Sequence, residues 1–468
     1  MTPQYGPVGR RPWHHVSDVE WVVVASVVVI AVWRGGAVAT AAGLVVAFAV
    51  AAVRRRPRPA VVAAAVVLSL LGVWRSTTEW ERAVARRTGP FEGWARVSAD
   101  PEHLGGGLKV VLEAEGERFA AWIFGGSTAR VEQALAGDTV WIRGERHGVA
   151  DHRSLVRHVV GRLDVLAVGD HRPAGLPYRP GNRVRAALRA TATETMAPEE
   201  AGLFRGLVIG DDADEPRWLL DAFRASGLSH LTAVSGQNVA YLLAGLAPLL
   251  RRLPTGRRWL ATVGVVCWFA LATRLEPSVL RAASMALLAV TAAALGRSIS
   301  TTRSLAVSTC ALVLLDPMLV WSVGFWLSVG ATAGVALATP WWWRHLGGPD
   351  WWRGPLAVTL GAQCGVVVPS WWVFGRLPVV ALGANLLAMP VAGAVMLVGA
   401  PAGLAARLLP EAVRTVVMWP LARATRWVRW VAEVAARLEP GGVATVMWWA
   451  AVLITLFLTR RRPPPVTP

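Results

Sequence analysis

Residues 227–242 read GLSHLTAVSGQNVAYL, a segment oily enough to enter a bilayer that nevertheless carries His230, Thr232, Ser235, Gln237 and Asn238 around Gly236. Polar side chains at membrane depth are costly, so they face a partner helix or a water-filled path. The segment is therefore the leading candidate for a functional site, and it has meaning only if its surroundings are membrane helices.

The surroundings meet that condition. The 468-residue chain is 54% hydrophobic, and its apolar runs, about 15 to 22 residues long, alternate with short turns that carry arginine. The predicted fold class is a polytopic α-helical membrane protein with an inserted extracytoplasmic all-β, OB-like domain. Five parts are expected: N-terminal membrane helices at 1–74, the β domain at 75–180, an amphipathic helical connector at 181–226, a multi-helix membrane domain at 227–462 and a short tail at 463–468. Apolar runs at 19–33, 36–53 and 60–74 open the chain. Arg10 and Arg11 before the first run, with Ala37, Val38 and Ala39 after it, imitate a cleavable signal peptide. The second run follows at once, however, and RRRPR at 54–58 leads into a third, which favours three anchored helices.

The formal net charge of +18 invites a nucleic-acid reading. Its distribution points elsewhere. The β domain holds fifteen Arg and Lys against fourteen Asp and Glu, and the excess sits in short turns at Arg54 to Arg58, Arg251 to Arg258, Arg297 and Arg303, and Arg344 and Arg353. That is the pattern of positive-inside topology. Cys267, Cys310 and Cys364 all lie in apolar runs with no paired spacing, so neither a disulfide framework nor a thiolate metal site is expected.

Between residues 75 and 180 short alternating runs predict strands at 93–98, 108–114, 118–124, 138–145 and within 154–168, with a helix at 127–135. Five strands with a helix in that place suggest an OB-type barrel. Alternation puts Arg118 and Trp122 on one face of the third strand, and Trp141 with Arg143 on one face of the fourth. Aromatic and guanidinium groups so interleaved suit stacking on bases and contact with phosphates. Packing in the barrel interior is the simpler expectation for Trp122 and Trp141. Residues 181–226 have helical period, and their DDADE run at 211–215 reads as a solvated turn.

Beyond residue 227 spans are predicted near 228–250, 259–273, 278–295, 304–320, 321–340, 355–374, 378–400 and 442–459, with an Arg-rich interfacial helix at 411–438 whose alternative is a tilted span. This arrangement leaves Arg460, Arg461 and Arg462 on the wrong side. Pro390 and Pro401 suggest a broken or re-entrant segment as the remedy. Four polar interruptions recur: SHLTAVSGQN at 229–238, EPSVLRA at 276–282, DPMLVWSVGFWLS at 316–328, and Gln363 with Asn385 in GAQCG and LGANLLAMP. The candidates for a path or for helix contacts are His230, Ser235, Gly236, Gln237, Asn238, Pro277, Ser278, Arg281, Asp316, Pro317, Ser328, Gln363 and Asn385. Close packing and helix initiation explain any one of them singly. Arg281, one turn into an apolar helix, needs a partner, a route to the surface, or water.

GLSHLTAVSGQNVAYLL, LEPSVLRAASMALL, LLDPMLVWSVGFWLSVGATAG and LGANLLAMPVAG, in this order, resemble the competence region of the ComEC family. The resemblance is strong over 200–400, and the family's N-terminal helices and extracytoplasmic OB-like domain correspond to 1–180. It implies a membrane channel component that passes single-stranded DNA across the cytoplasmic membrane in natural transformation. As partners it implies single-stranded DNA, membrane lipid, a DNA receptor and a cytoplasmic ATPase or helicase. Two departures matter. Gln237 and Asn238 stand where family members often have Leu-His, so a role for an imidazole there does not carry over. None of the nine histidines forms the HxHxDH motif of the C-terminal metallo-β-lactamase-like domain of long members. No nuclease activity, metal or cofactor is therefore expected of this chain, and a separate nuclease is implied. Two other readings stay open: a small-solute or lipid-handling transporter, and an intramembrane serine hydrolase, because AVSG at 233–236 resembles a GxSG turn and Ser235 would need a base within reach.

Overall fold

The computed structural model describes residues 17–34, 59–83, 87–104, 106–148, 152–232, 235–375 and 377–440, with single positions between 445 and 454. The predicted run at 36–53, most of that at 442–459 and the tail at 463–468 lie outside the described residues. Helices α1 (Asp18–Arg34) and α2 (Pro59–Arg82) precede strands β1 (Gly89–Leu104), β2 (Gly107–Ala114) and β3 (Glu117–Ile123). After these come α3 (Thr128–Val131), β4 (Thr139–His147), α4 (His152–Leu155) and β5 (Val159–Arg172). The helical remainder begins with α5 (Tyr178–Thr195), α6 (Pro198–Ile209), α7 (Arg217–Ala225), α8 (Ser229–Thr232), α9 (Gly236–Leu250) and α10 (Thr255–Ala272). It continues with α11 (Pro277–Ala294), α12 (Thr301–Leu315), a 3₁₀ turn (Pro317–Trp321), α13 (Val323–His345), α14 (Asp350–Phe374), α15 (Ala381–Ala406) and α16 (Glu411–Leu438). Among the described residues five segments are long and apolar enough to cross a membrane: Val61–Arg82, Pro277–Ala294, Val323–His345, Asp350–Phe374 and Ala381–Ala406. The chain is a polytopic membrane protein with an inserted β domain.

The strands close into a barrel in the order β1-β2-β3-β5-β4. Only β3 and β5 run parallel, the arrangement of a five-stranded Greek-key OB barrel. Phe119, Ala121 and Ile123 of β3 and Val140 and Ile142 of β4 fill the interior. Because side chains alternate along a strand, Trp122 and Trp141 must stand outside, half-buried. The expectation that they pack in the barrel is thereby corrected: Phe119 and aliphatic residues already occupy the narrow interior.

The helices form a bundle with two ends. At the barrel end the Asn182 amide donates to Ala136 O at 3.0 Å, and the Arg75 guanidinium, near the end of α2, donates to Leu314 O at 3.2 Å and Leu315 O at 2.7 Å. At the far end Asp18 accepts from Ser300 Oγ at 2.6 Å and Arg303 Nε at 3.0 Å, and Glu194 pairs with Arg407 and Arg414. Glu194 closes α5, so α5 and α6 run through the bundle as a hairpin. Leu188, Phe204 and Leu207 are fully buried against α15 and α16. Asp211 and Glu215 are buried as well, which corrects the reading of the DDADE run as a solvated turn; only Asp212 and Asp214 within it are exposed.

α16 is not a surface helix laid across the end of the bundle. Its first turn meets the end of α15 through Arg414 Nε and Ala406 O at 3.3 Å, and Trp427 Nε1 donates to Leu387 O at 3.1 Å. The Glu439 carboxylate, just past its last turn, accepts from Val379 N at 3.2 Å and Val380 N at 3.1 Å. The helix therefore runs antiparallel to α15 along its whole length, in agreement with the tilted-span alternative.

α13 and α14 approach until their backbones touch. A Cβ on Gly330 would lie 2.5 Å from Gly365 O, and one on Gly334 would lie 2.1 Å from Gly361 O. The two small-xxx-small stripes GATAG and GAQCG make this possible, as in other membrane helix pairs. Gly334→Leu is expected to destabilise the protein by about 1 to 3 kcal/mol or more. Thermal unfolding in detergent is the check, and an unchanged melting temperature would mean that the contact does not form.

Candidate functional site

Three of the four polar interruptions converge on Arg281. It lies one turn below the barrel-facing start of α11 and is 6% exposed. Its Nε donates to Ser328 Oγ at 2.8 Å, its Nη1 rests 3.1 Å from Met285 Sδ, and its Nη2 would lie 2.7 Å from a Cβ at Gly236. Among the described residues no carboxylate pairs with it. Gly236 is thus needed because any side chain there collides with the guanidinium.

The helix predicted over 228–250 is interrupted before Gly236. Ser235 caps α9, accepting from Gln237 N at 3.2 Å and donating to Asn238 Oδ1 at 3.3 Å. Asn238 in turn donates to Leu207 O of α6 at 3.0 Å. The Gln237 side-chain oxygen is buried without a partner among the described residues. Pro277 is the first residue of α11 and Pro317 starts the 3₁₀ turn, and Ser278 is half-buried beside Pro277. The remaining candidates lie elsewhere. His230 is exposed on α8, Gln363 is half-buried in α14, and Asn385 bonds back to Ala381 O of its own helix at 2.7 Å.

Outside the barrel, Trp94 of β1 pairs in register with Trp141, and Glu92 with Arg143. The Arg172 guanidinium covers the Trp94 ring at 3.8 Å and Arg162 covers Trp122 at 5.3 Å. Arg143 is exposed, whereas Arg118 is drawn to Glu113 at 3.7 Å. The barrel exterior therefore presents aromatic rings already stacked with cations, and Trp94, Arg162 and Arg172 join the residues singled out from sequence.

Sequence reasoning missed the ionic cluster that joins barrel to bundle. Asp100 of β1 bonds to Arg185 at 2.8 Å and to Arg274 at 2.7 Å, and Arg274 also holds Asn182 at 2.9 Å. Arg185 is further drawn to Asp211 at 3.6 Å, which Arg205 approaches at 3.6 Å. Burial pushes the Asp100 carboxyl up, but Arg185 and Arg274 outweigh it and hold the group below the usual carboxylate range. The signal was present in α5, where Gly181, Arg185, Leu188 and Ala192 recur at helical spacing and place an arginine on the buried stripe.

The Competence protein family profile matches residues 207–463, more than half of the chain. The chain belongs to the Competence protein family. The matched region includes α9, Arg281 and Ser328. ComE operon protein 3 of Bacillus subtilis (strain 168) is 26% identical over 211 residues, covering 44% of this chain and 27% of that protein. Competence protein ComA of Neisseria gonorrhoeae is 35% identical over 146 residues, covering 29% and 21%. The uncharacterized protein YcaI of Escherichia coli (strain K12) is 24% identical over 269 residues, covering 53% and 33%. The chain therefore spans a third or less of the length of these relatives. No solved structure matches it.

In this Competence family member one further contact ties the barrel to the matched region. His158, just before β5, lies 3.1 Å from Asp316, whose other oxygen caps the 3₁₀ turn by accepting from Met318 N at 3.0 Å. The hydrogen bond and charge of Asp316 raise the His158 pKa against the opposing effect of burial. A histidine raised on folding contributes stability that is complete below its unfolded value of about 6.5 and is lost as pH rises through the folded value. Limited proteolysis between barrel and bundle is therefore expected to accelerate with rising pH in the native chain, and His158→Ala should weaken that dependence. Asp100→Ala should cost about 3 to 5 kcal/mol, because it removes the carboxylate that Arg185 and Arg274 share. Unfolding in detergent, with Glu92→Ala as the exposed control, measures it.

Proposed function

We propose that this chain forms a membrane passage for single-stranded DNA in transformation, with the barrel outside the cytoplasmic membrane and the arginine-bearing far end inside. The observation that carries the reading is Arg281, a buried cation without a carboxylate partner where three motifs meet. A polyanion crossing a membrane needs fixed positive charge along a hydrated route. The topology agrees with the positive-inside rule. Arg251, Arg252, Arg257, Arg258, Arg297, Arg303, Arg344 and Arg353 all fall at the far end.

The barrel's outer Trp and Arg side chains suit transient stacking with unpaired bases. Acidic groups constrain the route, since Glu102 of the barrel and Asp212 and Glu276 of the bundle repel one another where the two meet. DNA has to pass on another side of that junction. Membrane lipid, a DNA receptor, a cytoplasmic ATPase or helicase and a separate nuclease complete the proposed set of partners. The capping role of Ser235 uses its hydroxyl in holding α9, which favours a structural serine over a nucleophile.

Uptake of labelled DNA is expected to fall to background in Arg281→Ala and in Ser235→Leu with membrane levels unchanged, whereas Arg281→Lys should retain part of it. Normal uptake in both disabling variants, with a solute or lipid transport defect instead, would replace this reading with the transporter one.

A further inference from the structure

Glu215 is a buried titratable group that takes no part in the passage described above. It lies in the loop between α6 and α7 and is 7% exposed, and neither carboxyl oxygen has a hydrogen-bond partner among the described residues. The carboxyl lies against Gly206 of α6, where a Cβ would come within 2.3 Å of Glu215 Oε1 and 3.6 Å of the Thr232 carbonyl oxygen. It thus sits in the seam between α6 and the end of α8 at Thr232.

The charges around it leave an ionised carboxylate without support. Arg205 of α6 is held by Asp214 at 2.5 Å and Asp211 at 3.6 Å. From α5, Arg189 is drawn to Asp214 at 3.5 Å and Asp211 at 3.7 Å, and Arg185 to Asp211 and the barrel's Asp100. Asp212 adds a further negative charge from the loop, and Glu102 faces Asp212 from the barrel. Nearby His103 is shared between Asp214 and Glu132, and His230 is the titratable group of α8. Every cation in the neighbourhood already answers an aspartate. A buried charge without a counter-ion takes up a proton.

We propose that Glu215 is a proton-binding site that locks α6 against Thr232 at the end of α8. With its proton the carboxyl fills the notch above Gly206, and the seam between α6 and α8 stays closed. Without it, a buried charge stands there without a counter-ion of its own and the seam must open to water. Burial, reinforced by Asp212 and Asp211 and opposed by Arg205, pushes this carboxyl up to about 8. Because the folded value is raised, the lock is complete in acid and is lost as pH rises through that value.

The test uses the full chain in lipid vesicles. Infrared titration should show a protonated-carboxyl band that is present at neutral pH, disappears with a midpoint near 8, and is missing at every pH from Glu215→Gln. Opening is read from maleimide labelling of Thr232→Cys with Cys267, Cys310 and Cys364 replaced by alanine. The ratio of its rate in the Glu215 chain to that in the Glu215→Gln chain cancels thiol ionisation. It should rise from about one in acid to at least about threefold in alkali. Gly206→Ala, which pushes the carboxyl from its notch, should abolish the band at neutral pH and keeps the proposal testable if Glu215→Gln fails to accumulate. An identical band in Glu215 and Glu215→Gln chains overturns the proton site, and a flat labelling ratio alongside a titrating band overturns the lock.

Discussion

Asp100, carried on the first strand of the barrel, meets Arg185 and Arg274 from the helices in a place that water scarcely reaches. Each ion alone would be untenable there, because desolvation is offset only when opposite charges and hydrogen bonds are all in place. The geometry is consequently not negotiable. Arg185 reaches Asp100 only if α5 enters the bundle, and Arg274 reaches it only if α10 ends directly beneath β1. The seating of the barrel and the interior position of the α5 and α6 hairpin are two consequences of one set of contacts. That accounts for the core around Leu188, Phe204 and Leu207, which α15 and α16 complete.

Arg281 presents the opposite case. The same residue type, buried to a similar degree, is held by a hydroxyl, a thioether and the space that Gly236 leaves open. Arg185 and Arg274 are paired with carboxylates within the protein and build it. Arg281 has no carboxylate partner among the described residues, which is why the proposed function rests on it and not on the larger ionic cluster.

Much of this was legible beforehand, for reasons that differ by element. The apolar runs and the five alternating strands reflect period and length, so the membrane helices and the barrel could be read directly. Gly236, Arg281 and Ser328 were found because polar groups in oily surroundings announce themselves. Asp100 and Arg185 were not, since a charge in a polar stretch looks like a charge in water until the fold closes over it. Trp122 and Trp141 were assigned inward because aromatics favour burial, but in a small barrel the interior volume decides. α16 misled through its arginines, several of which reach carboxylates on α5 and α6, among them Glu194, Glu199 and Glu200.

The paired glycines of α13 and α14 carry a consequence for how this sequence can vary in length. Gly330 faces Gly365 and Gly334 faces Gly361, so the two helices are in register across their turn. Each residue added to a helix rotates everything beyond it by about 100°. One insertion between Gly334 and His345, or between Asp350 and Gly361, would therefore turn a glycine away and bring a bulkier neighbour against a backbone. Changes in length can be absorbed in the turn at 346–349, where no helical phase is kept.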